Sequence, residues 1–169
     1  MKSKSAMLAL LVSSTLILAG CGNHDQQLDT ASERGSGIQS ISSNVLSSAI
    51  PTQQPCSLDT VDGNTSADMD LAKDKPHTFR GWLSDESKKP AGDFSLILSG
   101  PQSFEVPAKT GVSRPDVADG TGVQALAAAG FEFTQELASV PAGRYQIRFL
   151  ISHGTNKYWC DATKAINLK

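Results

Sequence analysis

Apolar and polar residues alternate along most of the second half of the chain. The clearest stretch is Gly130 to Ser152. Phe131, Phe133 and Leu137 fall on one side of a first segment, and Tyr145, Ile147, Phe149 and Ile151 on one side of a second. A period of two with one apolar side marks a strand whose other side meets solvent. The two segments read as the central hairpin of the domain, with Pro141 to Tyr145 as its corner. The same period recurs at His77 to Ser84, where Phe79, Gly81 and Leu83 oppose Arg80 and Trp82. It recurs at Asp93 to Ser99 through Phe94, Leu96 and Leu98, and again through Phe104 and Val106. Leu58 and Val61 suit a first strand. Tyr158 and Trp159 lie on opposite faces of a late strand, and Ile166 and Leu168 close the pattern.

Between these segments lie turn formers: Asp62-Gly63-Asn64, Asp85 to Gly92, Gly100-Pro101 and Gly154-Thr155-Asn156. Pro115 cannot donate to a ladder, so residues 112–118 are expected at an edge or corner. Ala125 to Ala129 suits a single helical turn. Seven to eight short strands with frequent turns predict an all-β sandwich over residues 56–169.

The pattern ahead of residue 56 is different. Lys2 and Lys4 precede an apolar run from Ala6 to Leu18. That run falls short of the roughly 20 apolar residues a membrane helix needs. Residues 1–20 therefore read as a signal peptide. The run Leu18-Ala19-Gly20-Cys21 resembles a bacterial lipobox, which implies that Cys21 becomes the acylated N-terminus and attaches the chain to a membrane. Gly22 stands where the similar enterobacterial sorting pattern has Asp for inner-membrane retention. The resemblance thus points to the outer membrane, with the domain in the periplasm or at the cell surface.

Residues 21–55 are rich in Ser, Gln, Gly and Asp and lack aromatic residues, a composition that suits a tether. Ile38, Ile41, Val45, Leu46 and Ile50 nonetheless fall at helical spacing. A short amphipathic helix docking on a partner or on the domain is the competing expectation.

Cysteine count and charge narrow the picture. Three cysteines are an awkward number for an exported chain. With Cys21 acylated, Cys56 and Cys160 remain as a pair that an oxidising compartment would join, with two free thiols as the alternative. The chain carries −2 overall. Lys2 and Lys4 leave with the leader, so the mature balance is −4. That argues against nucleic acid as a partner, and against electrostatic attraction to anionic lipid.

Short motifs add a resemblance. They are Cys56 with Leu58-Asp59, Gly81-Trp82 with Asp85, and Arg114-Pro115-Asp116-Val117-Ala118. Gly130-Phe131, Pro141-Ala142-Gly143-Arg144-Tyr145 and Cys160 follow. Together they resemble an immunoglobulin-like module of bacterial cell-envelope and glycan-related proteins. In such proteins the module is accessory, so the resemblance implies architecture and no activity. Tyr145 would turn its hydroxyl back onto the corner. Arg114 and Asp116 would pair with each other or satisfy backbone groups beside Pro115. Trp82 is either a core plug or an exposed platform.

Candidate chemistry is sparse. Asp59, Asp62, Asn64, Asp68 and Asp70 form an oxygen-rich run, but the spacing does not match a calcium loop. No nucleophile elbow, zinc-binding helix or phosphate loop is present. A hydrolase would need His77 or His153 brought to a serine and an acid. The expectation is therefore a chain that is not an enzyme, uses no cofactor or metal, and binds an envelope protein. Carbohydrate binding is the alternative. Trp82, Arg114, Asp116, Tyr158 and Trp159 are the candidate ligand-binding residues.

Overall fold

A computed structural model describes residues 37–42 and 44–169. Cys21 and the expected signal peptide and lipobox lie outside them. Ten strands dominate: β1 (Gln39–Ile41), β2 (Ile50–Pro51), β3 (Cys56–Val61), β4 (Asp68–Leu71), β5 (Pro76–Leu83), β6 (Asp93–Ser99), β7 (Ser103–Lys109), β8 (Gly130–Glu136), β9 (Gly143–His153) and β10 (Asn156–Leu168). Two short helices accompany them, α1 (Asn44–Ser47) and α2 (Pro115–Thr121), and a 3-10 turn spans Gln124–Ala128. Among the described residues no helix is long and apolar enough to cross a membrane.

The strands form two facing sheets. The smaller has the order β3-β5-β8. The larger has the order β1-β7-β6-β9-β10-β2, with β4 also pairing β10. Three strands against the central four, β7-β6-β9-β10, make an immunoglobulin-like sandwich. The alternating residues read from the sequence fill it. Phe94, Leu96 and Leu98 meet Ile147, Phe149 and Ile151 within one sheet, and face Phe79, Leu83 and Phe131 of the other. Phe131 packs across the interior, tilted against Phe94 at 5.0 Å and edge-on to Phe149 at 5.5 Å, ring centre to ring centre. Gly81 lies beneath this ring. A Cβ there would collide with the Ser57 carbonyl oxygen and come within 2.6 Å of the Phe131 ring.

Gly130 to Ser152 is not a hairpin. β8 pairs with β5 in the smaller sheet, whereas β9 lies between β6 and β10 in the larger. The connection crosses from one sheet to the other, so the apolar faces of its two strands oppose each other. Leu137 and Val140 are buried at the crossing. The Tyr145 hydroxyl donates to the Pro141 carbonyl at 3.0 Å, closing the expected tyrosine corner. Arg114 to Ala118 also departs from the expected edge. Pro115 opens α2, a position where its missing N–H costs nothing.

Cys56 and Cys160 form a disulfide, with Cα atoms 6.5 Å apart. It joins β3 of the smaller sheet to β10 of the larger. β10 is long enough to take two parallel partners in succession, β2 at Tyr158 and Trp159 and β4 from Ala165 to Leu168. A bulge between Asp161 and Lys164 separates them.

The folded unit begins well before residue 56. β1 extends the larger sheet by pairing with β7, and β2 pairs with β10. Between them Val45, Leu46 and Ala49 pack on Ile97, Leu150 and Trp159. These residues form a strap across the outer face of the larger sheet rather than a tether. The physical reason lies under the strap: Ile97 and Leu150 point away from the interior and would otherwise meet water.

Candidate functional site: a charged cleft beside a docked helix

Arg114 is the hub of the smaller sheet's outer face. Its backbone N–H donates to the Ala127 carbonyl at 2.7 Å, fixing the start of α2 against the 3-10 turn. Its Nε and Nη2 donate to the two oxygens of Asp116 at 2.9 and 2.7 Å, and its Nη1 donates to Asp59 at 2.6 Å. Asp59 reaches this point because β3 bulges between Leu58 and Thr60, adding one residue to the strand. Its other oxygen accepts from the Ser57 hydroxyl at 2.6 Å. Gly130 makes room for the Arg114 stem, since a Cβ there would lie 2.6 Å from Arg114 Cγ.

The hydrogen bonds that Arg114 donates to Asp116, against a smaller opposing effect of burial, push the Arg114 guanidinium further above its ordinary range. Reciprocally, the Arg114 hydrogen bond holds the Asp116 carboxyl below 3.8. A fork geometry of this kind gives charge-assisted bonds of defined direction.

Beside the hub lies a cleft of about 340 Å³ lined by Asp59, Thr60, Arg80, Val112, Arg114 and Glu132. Arg80 Nη2 donates to Glu132 at 2.8 Å across β5 and β8. The cleft therefore pairs its cations internally and offers no free base. Val112 is 41% exposed at its rim, whereas Phe131, the other large apolar residue of the lining, is buried.

The five candidate residues separate into two groups. Arg114 and Asp116 are bonded directly, and Trp82 lies nearby on the same outer face, half-buried against Val117, Leu126 and Ala129. Trp82 is thus a plug between α2 and the sheet. Tyr158 and Trp159 belong to the other sheet. Trp159 points outward under the strap, with the Arg148 guanidinium 5.0 Å from its ring centre. Tyr158 shares the side of Cys160. The two tryptophans consequently lie on opposite outer faces of the sandwich.

The histidines are also apart. Buried His77 bonds Asp62 through Nδ1 at 2.6 Å and the Ala72 carbonyl through Nε2 at 2.8 Å. Burial raises the Asp62 carboxyl, but the hydrogen bonds from His77 and the Thr78 N–H outweigh it, and the net shift is downward. His153 lies 3.6 Å from Asp85 and is half exposed. No serine hydroxyl bonds either ring among the described residues.

The acidic run disperses. Asp59 bonds Arg114, Asp62 bonds His77, Asp68 bonds Arg144 and Asp70 bonds Lys169. Among the described residues no three metal-ligating side chains converge.

Asp59, Arg80 and Glu132 escaped sequence reading as parts of this site. Arg80 and Glu132 do sit at outward positions of their strands, but their register follows only from pairing β5 with β8.

No protein-family model matches the chain, and no curated protein matches it. Among solved structures, the endo-beta-1,4-mannanase from Thermotoga petrophila is similar over 70% of this chain, at 12% identity and a TM-score of 0.40. The chain matches 20% of that enzyme's length.

Proposed function

We propose that this chain is a bacterial lipoprotein, acylated on Cys21 and held at the outer membrane, whose sandwich binds an envelope protein without catalysing a reaction. The observation that carries the reading is the lipobox Leu18 to Cys21 directly after a positive and apolar leader. Acylation of Cys21 leaves Cys56 and Cys160 as a pair, and the bridge between the sheets agrees with that accounting and with an oxidising compartment. The cleft beside Arg114 supports a protein partner. It sets exposed Val112 beside paired charges, a mixed apolar and polar surface of the kind protein interfaces use.

The competing reading is glycan binding on Trp82, Tyr158 and Trp159. It requires open aromatic faces. Trp82 is covered by α2 and Trp159 by the strap, and they point in opposite directions. This favours the protein-partner reading.

Two experiments test the proposal. Cys21→Ser is expected to leave the chain unacylated and in the soluble fraction; continued partition with membranes would overturn the anchor. The acylated chain, used as bait in envelope extracts and in parallel on isolated peptidoglycan, is expected to retain a protein whose capture Val112→Asp reduces at least tenfold. Retention on the glycan alone would overturn the protein-partner reading.

A further inference from the structure

The outer face of the larger sheet holds an arginine unlike the others. Arg80, Arg114 and Arg144 each donate a hydrogen bond to a carboxylate. Arg148 donates none among the described residues. Its nearest acid, Asp161, stands 3.6 Å from Nε, and Nε itself is shut off from water without a partner. The side chain is held in place nonetheless, because its guanidinium lies over Trp159 at 5.0 Å. It is 30% exposed, and it opens into a cavity of about 330 Å³.

The cavity has one wall from the strap and one from the sheet. Leu46 and Ser47 of α1 overhang it, and Ser99 and Ser103 line the side of β6 and β7. The Ser99 and Ser103 hydroxyls make no hydrogen bonds within the described residues. Among the described residues no carboxylate lines the cavity; Asp161, the ion-pair neighbour of Arg148, is not part of its wall. A cation held by stacking, next to two free hydroxyl donors, fits a planar anion that can take two parallel N–H bonds. A sugar ring is a poor occupant, because the Trp159 ring it would stack on is already engaged by Arg148 and the strap.

We propose that Arg148, Ser99, Ser103 and the α1 wall form a pocket for the carboxylate of an acidic side chain on a partner protein. This rests on the protein-binding reading above and adds the chemistry that the partner presents. Because α1 forms one wall, occupation of the pocket also holds the strap on the sheet.

The test uses the full mature-length chain with Cys21→Ser, labelled with ¹⁵N in arginine and the backbone. The probes are capped glutamate (N-acetyl, amide), glucuronate, and sodium chloride at matched ionic strength. Capped glutamate is expected to shift the Arg148 Nε–Hε resonance saturably, in roughly the millimolar range of a single charge-assisted contact, and to leave Arg114 unmoved. It is also expected to slow amide exchange at Val45 to Ala49. Arg148→Gln should abolish the shift in the backbone amides of Ser99 and Ser103. Ser99→Asp should abolish glutamate binding by supplying an internal carboxylate, whether or not Arg148→Gln folds.

The proposal is overturned by a response that is absent, reproduced by chloride, or unchanged in Ser99→Asp. Tighter binding of glucuronate than of capped glutamate would overturn the assignment to a peptide. Failure here with protein capture intact would leave the proposed function standing, whereas glutamate binding without any captured protein would not rescue that function.

Discussion

The two outer faces of the sandwich are both capped, and they are capped differently. On the smaller sheet, α2 and the 3-10 turn lie over Trp82, and Arg114 locks them with hydrogen bonds to two carboxylates. On the larger sheet the strap lies over Ile97, Leu150 and Trp159, and the adjacent arginine makes no such bond. The first cap is an insertion between β7 and β8, anchored at both ends. The second is the N-terminal approach to the domain, held by apolar contacts and by strands of three and two residues. A cap whose charges are already paired contributes stability. A cap beside an arginine that hydrogen-bonds no carboxylate leaves N–H donors for the proposed partner.

The largest effect that bears on this comparison concerns what both faces share. Replacing Cys56 and Cys160 by Ala separates β3 from β10. It should cost roughly 2–5 kcal/mol, read as a lower midpoint in urea. Next, Arg114→Ala strips three charge-assisted bonds and should cost about 2 kcal/mol. Arg148→Ala should cost under about 1 kcal/mol, because it removes only stacking and a distant acid. Equal losses for the two arginines, measured by the same denaturation, would erase the contrast between the caps.

Opening the strap should have a smaller effect still on the global transition. Leu46→Ser is expected to raise amide exchange in α1 and to increase binding of a hydrophobic dye at Ile97 and Leu150, with the unfolding midpoint nearly unchanged. A cooperative loss of the whole fold would show that the strap is integral to the core.

Acid gives the finest discrimination. The Asp116 carboxyl is held below its ordinary 3.8 in the folded chain. Its contribution is therefore complete above that value and is lost as pH falls through the lowered folded value. Below about pH 4 the α2 cap should loosen before the apolar strap does, followed by exchange at Val117 and Ala118 against Val45 and Leu46. Asp116→Asn should remove the difference.

Much of the sandwich was legible because its inward residues alternate without interruption, as in Phe94, Leu96 and Leu98. The corner was legible in Pro141 to Tyr145, and the bridge in the number of cysteines. The partition of strands between sheets was not. An apolar face on β8 and another on β9 satisfy a hairpin and a crossing equally well, and only the pairing with β5 and with β6 and β10 separates them. The strap did leave a trace. Leu96-Ile97-Leu98 and Phe149-Leu150-Ile151 are unbroken apolar runs, which signal burial on both faces of the sheet. The Ser-rich composition of residues 39–51 obscured their partner. Asp59 entered the Arg114 site through a bulge that no local pattern announces. Arg148 left no signal in the alternation, because its stacking on Trp159 depends on the register between β9 and β10.

The proposal is that an anchored sandwich engages an envelope protein through its surface. It is tested most directly by photo-crosslinking in intact cells, with a reactive residue at Val112 or at Ser47 of the acylated chain. The account predicts a discrete protein adduct from at least one position, lost from position 47 when Arg148→Gln is added. Adducts to glycan alone, or no adduct from either face, would contradict it.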